Sequence, residues 1–557
     1  MLSRLPSLPW LPPPRLPSPS PRLHSRSRTL SSSPSPAPAP PPLPRFLPCI
    51  GLEVHVQLLS PSKLFSPSPT AGPFPGANTQ LSPFDLALPG SLPVLSTACV
   101  RLACAASQAL SSELQDVSVF ERKHYFYPDS PNGYQITQRL RPLAVGGALP
   151  YGAGGGARET RVTRVQLETD TGKTERGAGG TTVDYNRTGR ALIEVVFEPD
   201  VPSPEAASEA VKSLQRLLRH VKVTDGKFEE GSMRADLNVS IYPRERAAEG
   251  GGPPPLDSGH LGERVEVKNV NSLKALRSAA EFEYKRQVEV VEAGGRVEQE
   301  TRMFDKKEGV TKVMRKKEDM LDYRFLPEPD LPPLVLSELE GLDLSDLGGG
   351  GELPEDAKRR LRAEHGDAAG ALVDVIVDEG YVGYFEEAAA ACGGGNAKLA
   401  ASYLCNHVFA LRNEHGPRWE MENPGAGPMP DPVTARQLGD VARMVGEKKI
   451  SKKMGKDLIL EVLFREEERG ADVAEVVEMR GMVVVGDMGE LQAMCKEIVE
   501  DPKWQATRES LAAAGADEKK RAKLVKFFFG KAMQKSKGQA DVSMLQAALE
   551  KVCDDIR

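Results

Sequence analysis

The chain has 557 residues, with 72 Lys+Arg against 78 Asp+Glu, a formal charge of −6, and 40% hydrophobic residues. So many charges exclude a membrane-embedded protein, so many apolar residues exclude wholesale disorder, and the length predicts about three or four domains. The charge is uneven: residues 1–50 hold six Arg, no Lys and no acid, so the rest of the chain carries −6 − 6 = −12. An acidic body argues against blanket coating of nucleic acid and leaves only local contact.

Residues 1–48 are rich in Pro and Ser, contain Arg and lack acids. This is the composition of an organellar transit peptide, the alternative being a disordered Pro-rich tail. No apolar core long enough for a secretory signal precedes Cys49, and no run approaches the roughly 20 apolar residues of a spanning helix. The seven cysteines are scattered with no CxxC pair. That fits a reducing compartment and argues against a disulfide framework or a cysteine zinc site.

Residues 50–334 read mostly as strands and loops, and residues from about 354 onward as helices, with the Gly348–Gly351 run between them. The change of hydrophobic period predicts an α+β protein: an antiparallel β-sheet body followed by all-α domains. Within the body, short strands alternate strictly. In Gly51–Gln57, Glu53, His55 and Gln57 share one face and Leu52, Val54 and Val56 the other. In Arg164–Asp170, Gln166, Glu168 and Asp170 oppose Val165 and Leu167. In Ser232–Ser240, Arg234, Asp236 and Asn238 oppose Met233, Ala235, Leu237 and Val239; in Arg264–Lys268, Glu266 and Lys268 oppose Val265 and Val267. In Ala191–Val196 a single acid, Glu194, interrupts an apolar run.

A sheet with one wet face accounts for alternation without any function. It accounts less well for a His among short-range carboxylates, or for Glu194, which is costly to bury unpaired. A cation would supply the partner: Mg²⁺ takes oxygen ligands, and Mn²⁺ or Zn²⁺ tolerates one His among carboxylates. Familiar nucleotide loops are missing. Gly172-Lys-Thr174 ends like a P-loop, but the required earlier Gly is Leu167, within a strand. No GxGxxG opens a helix, and no Gly-x-Ser-x-Gly elbow or convincing Cys–His pair is present.

Longer motifs carry a resemblance: Ile50-Gly-Leu-Glu-Val-His-Val56, Tyr127-Pro-Asp-Ser-Pro-Asn-Gly-Tyr-Gln-Ile136, Asp184-Tyr-Asn-Arg-Thr-Gly-Arg-Ala-Leu-Ile-Glu194, Glu230-Gly-Ser-Met-Arg-Ala-Asp-Leu-Asn-Val-Ser240, Lys268-Asn-Val-Asn-Ser272 and Gly530-Lys-Ala-Met-Gln-Lys-Ser-Lys-Gly-Gln-Ala540. Together they resemble the B subunit of the glutamyl-tRNA(Gln)/aspartyl-tRNA(Asn) amidotransferases, in family order from about residue 50 to 545. The resemblance implies an ATP- and Mg²⁺-dependent enzyme. It would phosphorylate the γ-carboxylate of Glu on mischarged Glu-tRNA(Gln), and ammonia would then displace phosphate to give Gln-tRNA(Gln). The implied partners are the amidase or A subunit, which makes the ammonia, and the small C subunit. A cradle-like catalytic body would span 49–335, a linker and helical domain 336–405, and a tail domain contacting tRNA 406–557. The implied destination is the mitochondrion or chloroplast, with no membrane partner.

Carried over position by position, the family's Mg²⁺ site falls on Glu53, His55, Glu194 and Glu266, with a further acid in the Glu168–Asp170 motif. Arg234 and Lys268 are candidate phosphate contacts, or else structural ion pairs. Two departures matter. Glu168 is followed by Thr169 where the family usually has a second Glu. The positions of two zinc-binding Cys pairs in many members are here Ser66, Ser68, Ser82 and Asp85. Ser is a poor zinc ligand, so no zinc is expected.

Near the C-terminus, Lys531, Lys535 and Lys537 belong to a basic helical stretch with Phe527, Phe528 and Phe529. An amphipathic helix with a solvated Lys face would explain it; the resemblance favours a tRNA contact made through shape and backbone. Three adjacent Phe cannot share one helix face. Competing readings of the whole chain are a non-catalytic tRNA-binding scaffold and a metal-dependent hydrolase.

Overall fold

The computed structural model describes residues 44–70, 76–152, 158–177, 180–248, 253–255, 258–316, 324–344, 352–366, 370–393, 395–422, 429–463, 471–482, 487–513, 518–536, 540 and 542–555. Most of the expected transit peptide lies outside these residues, as does Lys537. The first strand opens at Phe46, inside the segment expected to end at residue 48.

A ten-stranded sheet forms the body. From one edge it runs Val310–Lys316, Glu300–Asp305, Val265–Val270, Met233–Pro243, Phe46–Gln57, Ala191–Phe197, Arg158–Thr169, Ala144–Val145 and Glu113–Leu114, and Ala148–Tyr151 also pairs with Arg158–Thr169. Neighbours are antiparallel except Val265–Val270 with Glu300–Asp305. That pair is joined through the helix Leu273–Glu292, the long crossover that parallel strands require.

The expected alternation is visible in burial. Leu52, Val54 and Val56 are buried, while Glu53, His55 and Gln57 are half-buried. The helices Thr97–Ala109, Pro204–His220 and Leu273–Glu292 contribute Val100, Ala103, Leu214, Leu218, Leu276 and Ala280 to one core with the apolar face of the strands. Ser203 and Ser272 cap the second and third helices by accepting the N–H groups of Ala206 and Ala275. With one face of the sheet committed to this core, the polar residues are left to the other.

Ser66, Ser68, Ser82 and Asp85, where the resemblance would lead one to expect cysteine pairs, form a cluster of their own. Ser66 and Ser68 donate to the Asp85 carboxylate at 3.0 and 2.7 Å, and the Ser82 N–H donates at 2.8 Å. The Lys63 ammonium lies 3.3 Å from the same carboxylate, with both side chains buried. Burial lowers the Lys63 pKa, and Asp85 partly offsets it.

The helical half holds two cores, one drawn from Ala357 to Val477 and one from Leu491 to Cys553. The expected boundary between 405 and 406 is corrected by this. It falls within an unbroken helical run, Ala397–Tyr403 through the π-helical Leu404–Val408 to Phe409–Glu422. Leu404, Val408 and Phe409 on both sides of that boundary belong to the same core, so no division is possible there. Phe528 is fully buried in the last core, Phe529 packs partly against it, and Phe527 turns outward onto Trp504. Arg216 on the body helix joins Glu355 and Asp378 at 2.5 and 2.7 Å, linking the body to the first helical core. Among the described residues no helix is long and apolar enough to cross a membrane.

Candidate active site

Antiparallel register assembles the site. His55 stands opposite Glu194 on one neighbouring strand and opposite Arg234 on the other, while Glu194 stands opposite Gln166. One row across four strands therefore reads Gln166, Glu194, His55, Arg234, and side chains directly opposite each other interact. One ligand atom from each of Glu53, His55 and Glu194 lies within 4.8 Å of the others. Glu168 adjoins them: its carboxylate and that of Glu194 each approach the His55 Nε2 to 3.7 Å.

This polar face is partly covered. A hairpin of Glu121–His124 and Tyr134–Thr137 covers part of it, and Phe325–Pro327 adds a third strand. Lys123 reaches Glu168 at 3.3 Å, and Gln135 donates to Glu168 at 3.3 Å and to the Thr169 carbonyl at 2.7 Å. Gln166 donates to Glu194 at 2.9 Å. Thr169, where the resemblance leads one to expect a second acid, accepts the Ile136 N–H at 2.9 Å and so ties the hairpin to the sheet. The covered acids are unusual in energy. Burial, then Glu53 and Glu168, pushes the Glu194 carboxyl well above its ordinary pKa. Burial would also raise Glu168, but Lys123 and His55 hold it below. Burial opposes the charge on Lys123; Glu168, Glu194 and Glu53 outweigh it and hold its pKa up at about 12.

A cavity of about 300 Å³ opens over these groups, lined in part by His55, Lys123, Tyr125, Glu168, Asp170, Arg234, Asp236 and Lys268. Arg234 pairs with Asp170 at 2.9 Å, and Asp170 foremost raises its pKa. Lys268 contacts Asp236 at 3.1 Å and Glu266 at 3.0 Å. Burial opposes its charge too, and those acids more than compensate. Both cations thus hold ion pairs and also face the cavity.

Of the sequence-expected ligands, Glu53, His55, Glu194 and the neighbouring Glu168 come together. Glu266 does not join them: its carboxylate is engaged by Lys268 and by the Thr301 hydroxyl at 3.0 Å. A register shift between Ala235 and Leu237 interrupts the pairing that leads to its strand. Sequence reasoning missed Lys123 and Gln135. Both sit in the hairpin just before and within the Tyr127–Ile136 motif, and a lone Lys there carries no periodic signal.

The residues fit a divalent cation. Three carboxylates around one imidazole, one of them driven toward neutrality by burial and its neighbours, form an anionic oxygen-rich set that a hard cation would stabilise. In the tail, Lys531 lies 4.6 Å over the Trp504 ring and Lys535 contacts Glu497 at 2.5 Å, so the expected basic face is partly engaged within the protein.

The profile described as the GatB/GatE catalytic domain matches residues 48–340, and that described as the GatB domain matches residues 383–553. The mitochondrial glutamyl-tRNA(Gln) amidotransferase B subunit of Phytophthora infestans is 36% identical over 568 residues, covering 91% of this chain and 95% of its own. The aspartyl/glutamyl-tRNA(Asn/Gln) amidotransferase B subunit of Anaeromyxobacter sp. is 39% identical over 511 residues, covering 90% and 97%. The chloroplastic/mitochondrial glutamyl-tRNA(Gln) amidotransferase B subunit of Ostreococcus tauri is 38% identical over 519 residues, covering 89% and 91%. Both domains are matched in order and the similarity runs through nearly the whole chain: it belongs to the family of tRNA amidotransferase B subunits.

Proposed function

We propose that this chain is the synthetase subunit of an organellar glutamyl-tRNA(Gln) amidotransferase, which activates the γ-carboxylate of Glu on Glu-tRNA(Gln) with ATP and passes it to ammonia. The observation that carries the reading is the convergence of Glu53, His55 and Glu194 beside Glu168 and Lys123, under a cavity that Arg234 and Lys268 also line. Phosphoryl transfer needs charge neutralisation and alignment more than covalent help. Glu53, His55, Glu194 and Glu168 would hold Mg²⁺, which when bound neutralises and aligns phosphate oxygens. Arg234 and Lys268 would exchange part of their ion pairing with Asp170, Asp236 and Glu266 for contacts to phosphate oxygens. The hairpin carrying Lys123 excludes water from the acids and keeps Glu168 ionised and aimed at His55.

The names of the Phytophthora and Ostreococcus relatives support the organellar destination, as does the acid-free, Arg-containing composition of residues 1–50. The amidase or A subunit and the small C subunit would be the partners, and the Lys531 and Lys535 region, with Lys537, a tRNA contact. The test is co-expression with both partners and conversion of Glu-tRNA(Gln) to Gln-tRNA(Gln) with ATP, Mg²⁺ and glutamine. Wild type should turn over and Glu194→Ala should lose at least a hundredfold in rate. Full turnover by Glu194→Ala would remove the site from the mechanism.

A further inference from the structure

The hairpin that covers the carboxylates also leads out of the cavity. Lys123, Tyr125 and Gln135 line the interior. The next residue, Phe126, is 81% exposed, the highest value among the described large hydrophobic side chains, and Tyr127 is 38% exposed. The rings are arranged rather than scattered. Tyr125 and Tyr127 have centroids 4.5 Å apart at 35°, and His124 and Phe126 lie 5.9 Å apart at 41°. Their positions are held from below. The Tyr125 N–H donates to the Gly133 carbonyl at 2.8 Å, and Arg315 donates to the Tyr127 hydroxyl at 3.0 Å. Gly133 has φ +71°, and a Cβ there would meet the Phe126 ring at 3.3 Å, so the ring rests against backbone. An exposed ring with a supported position and the cationic neighbour Arg315 has the character of a stacking surface for unpaired bases.

We propose that the shelf formed by Tyr125, Phe126 and Tyr127 stacks the unpaired bases at the 3′ end of the aminoacylated RNA, with Phe126 as the open ring. The inference rests on the function proposed above. If the γ-carboxylate of Glu must enter the cavity while its α-carboxyl stays esterified to the terminal ribose, the terminal base is left at the mouth, where this shelf stands. An apolar protein partner would be served equally by scattered aliphatic residues; a run of three rings beside an arginine suits a strand of bases and phosphates better. The base of ATP is the other source of the same chemistry, and the experiment separates the two.

In the assembled three-subunit complex, Phe126→Ala is expected to raise KM for Glu-tRNA(Gln) roughly tenfold, the effect of losing one base stack. KM for ATP should not move, and Phe126→Tyr, which keeps the ring, should restore KM for the tRNA. Binding supplies a readout independent of turnover. Removing the unpaired 3′ nucleotides from the tRNA should weaken binding to wild type, and Phe126→Ala should not discriminate between full and truncated tRNA. If Phe126→Ala leaves tRNA KM unchanged, or weakens full and truncated tRNA equally, the proposal is wrong. A rise confined to the KM for ATP assigns the ring to the nucleotide base and overturns the RNA assignment. An inactive wild-type complex that still discriminates the truncated tRNA through Phe126 would instead sink the proposed reaction and keep the stack.

Discussion

Glu194 sits where burial, Glu53 and Glu168 all oppose its charge. That is a poor arrangement for stability in the absence of a cation and a useful one for binding a cation. Glu194→Gln should therefore raise the melting temperature of metal-free protein, by about 1 kcal/mol in stability, while removing activity, the usual exchange of stability for function at such sites. It should also abolish any Mg²⁺-dependent rise in melting temperature; a Mg²⁺ shift equal to that of wild type would show that Glu194 is not a ligand. Lys63 makes a second residue-scale case. It is fully buried against Asp85, which three serine groups also contact. Lys63→Met leaves a carboxylate buried without its counter-charge and should cost about 3 kcal/mol in thermal unfolding. Adding Asp85→Asn should recover part of that loss; purely additive costs would deny that the two groups form a pair.

Elements meet through specific contacts that can be broken one at a time. Helix Ala435–Gly446 approaches Val382–Ala391 at Gly439, where a Cβ would collide with the Ala388 carbonyl and the Ala391 side chain. Gly439→Ala should push the two helices apart at a cost of about 2 kcal/mol, visible as a lower midpoint in denaturant. The link between the body and the first helical core includes a cluster of ion pairs. Burial raises the Asp378 carboxyl, but Arg216, Lys358 and Lys212 outweigh it and hold its pKa below the ordinary value. A depressed folded pKa gives stabilisation that is full above the unfolded value, about 3.9, and is lost as pH falls through the folded value below it. Asp378→Asn should thus destabilise by about 1 kcal/mol at neutral pH, allowing for its partial exposure, and by little in strong acid. Equal losses at both pH values would assign the effect to packing instead.

Over the whole molecule, the near-balance of charge conceals a division of labour. The acids that matter to the site are gathered on one sheet, and the Lys-rich helix Glu518–Lys535 stands in the last core. Lys531 and Lys535 have partners within the protein, so any RNA contact they make would compete with Trp504 and Glu497. Lys531→Ala combined with Lys535→Ala should weaken tRNA binding and reduce the slope of log affinity against log salt by less than about 2 units, because each lysine releases at most one counterion. An unchanged slope would leave these residues as packing for the Trp504 face.

Much of this was legible in the order of residues alone. Period-two alternation around Glu53, His55 and Glu168 showed which side chains share a face, because successive Cβ atoms on a strand point to opposite sides. The acid inside the apolar run at Glu194 announced an unusual partner, because an unpaired buried carboxylate is too costly to keep. Register was not legible, because hydrogen bonding between backbones does not depend on which strand supplies them. Only the folded sheet set His55 opposite Glu194, left Glu266 with Lys268, joined one parallel pair through a crossover helix, and laid the Lys123 hairpin over the acids. The sequence by itself determined the chemistry available on each strand; tertiary structure decided which of those groups meet and how little water reaches them, because both depend on contacts between residues far apart in the chain.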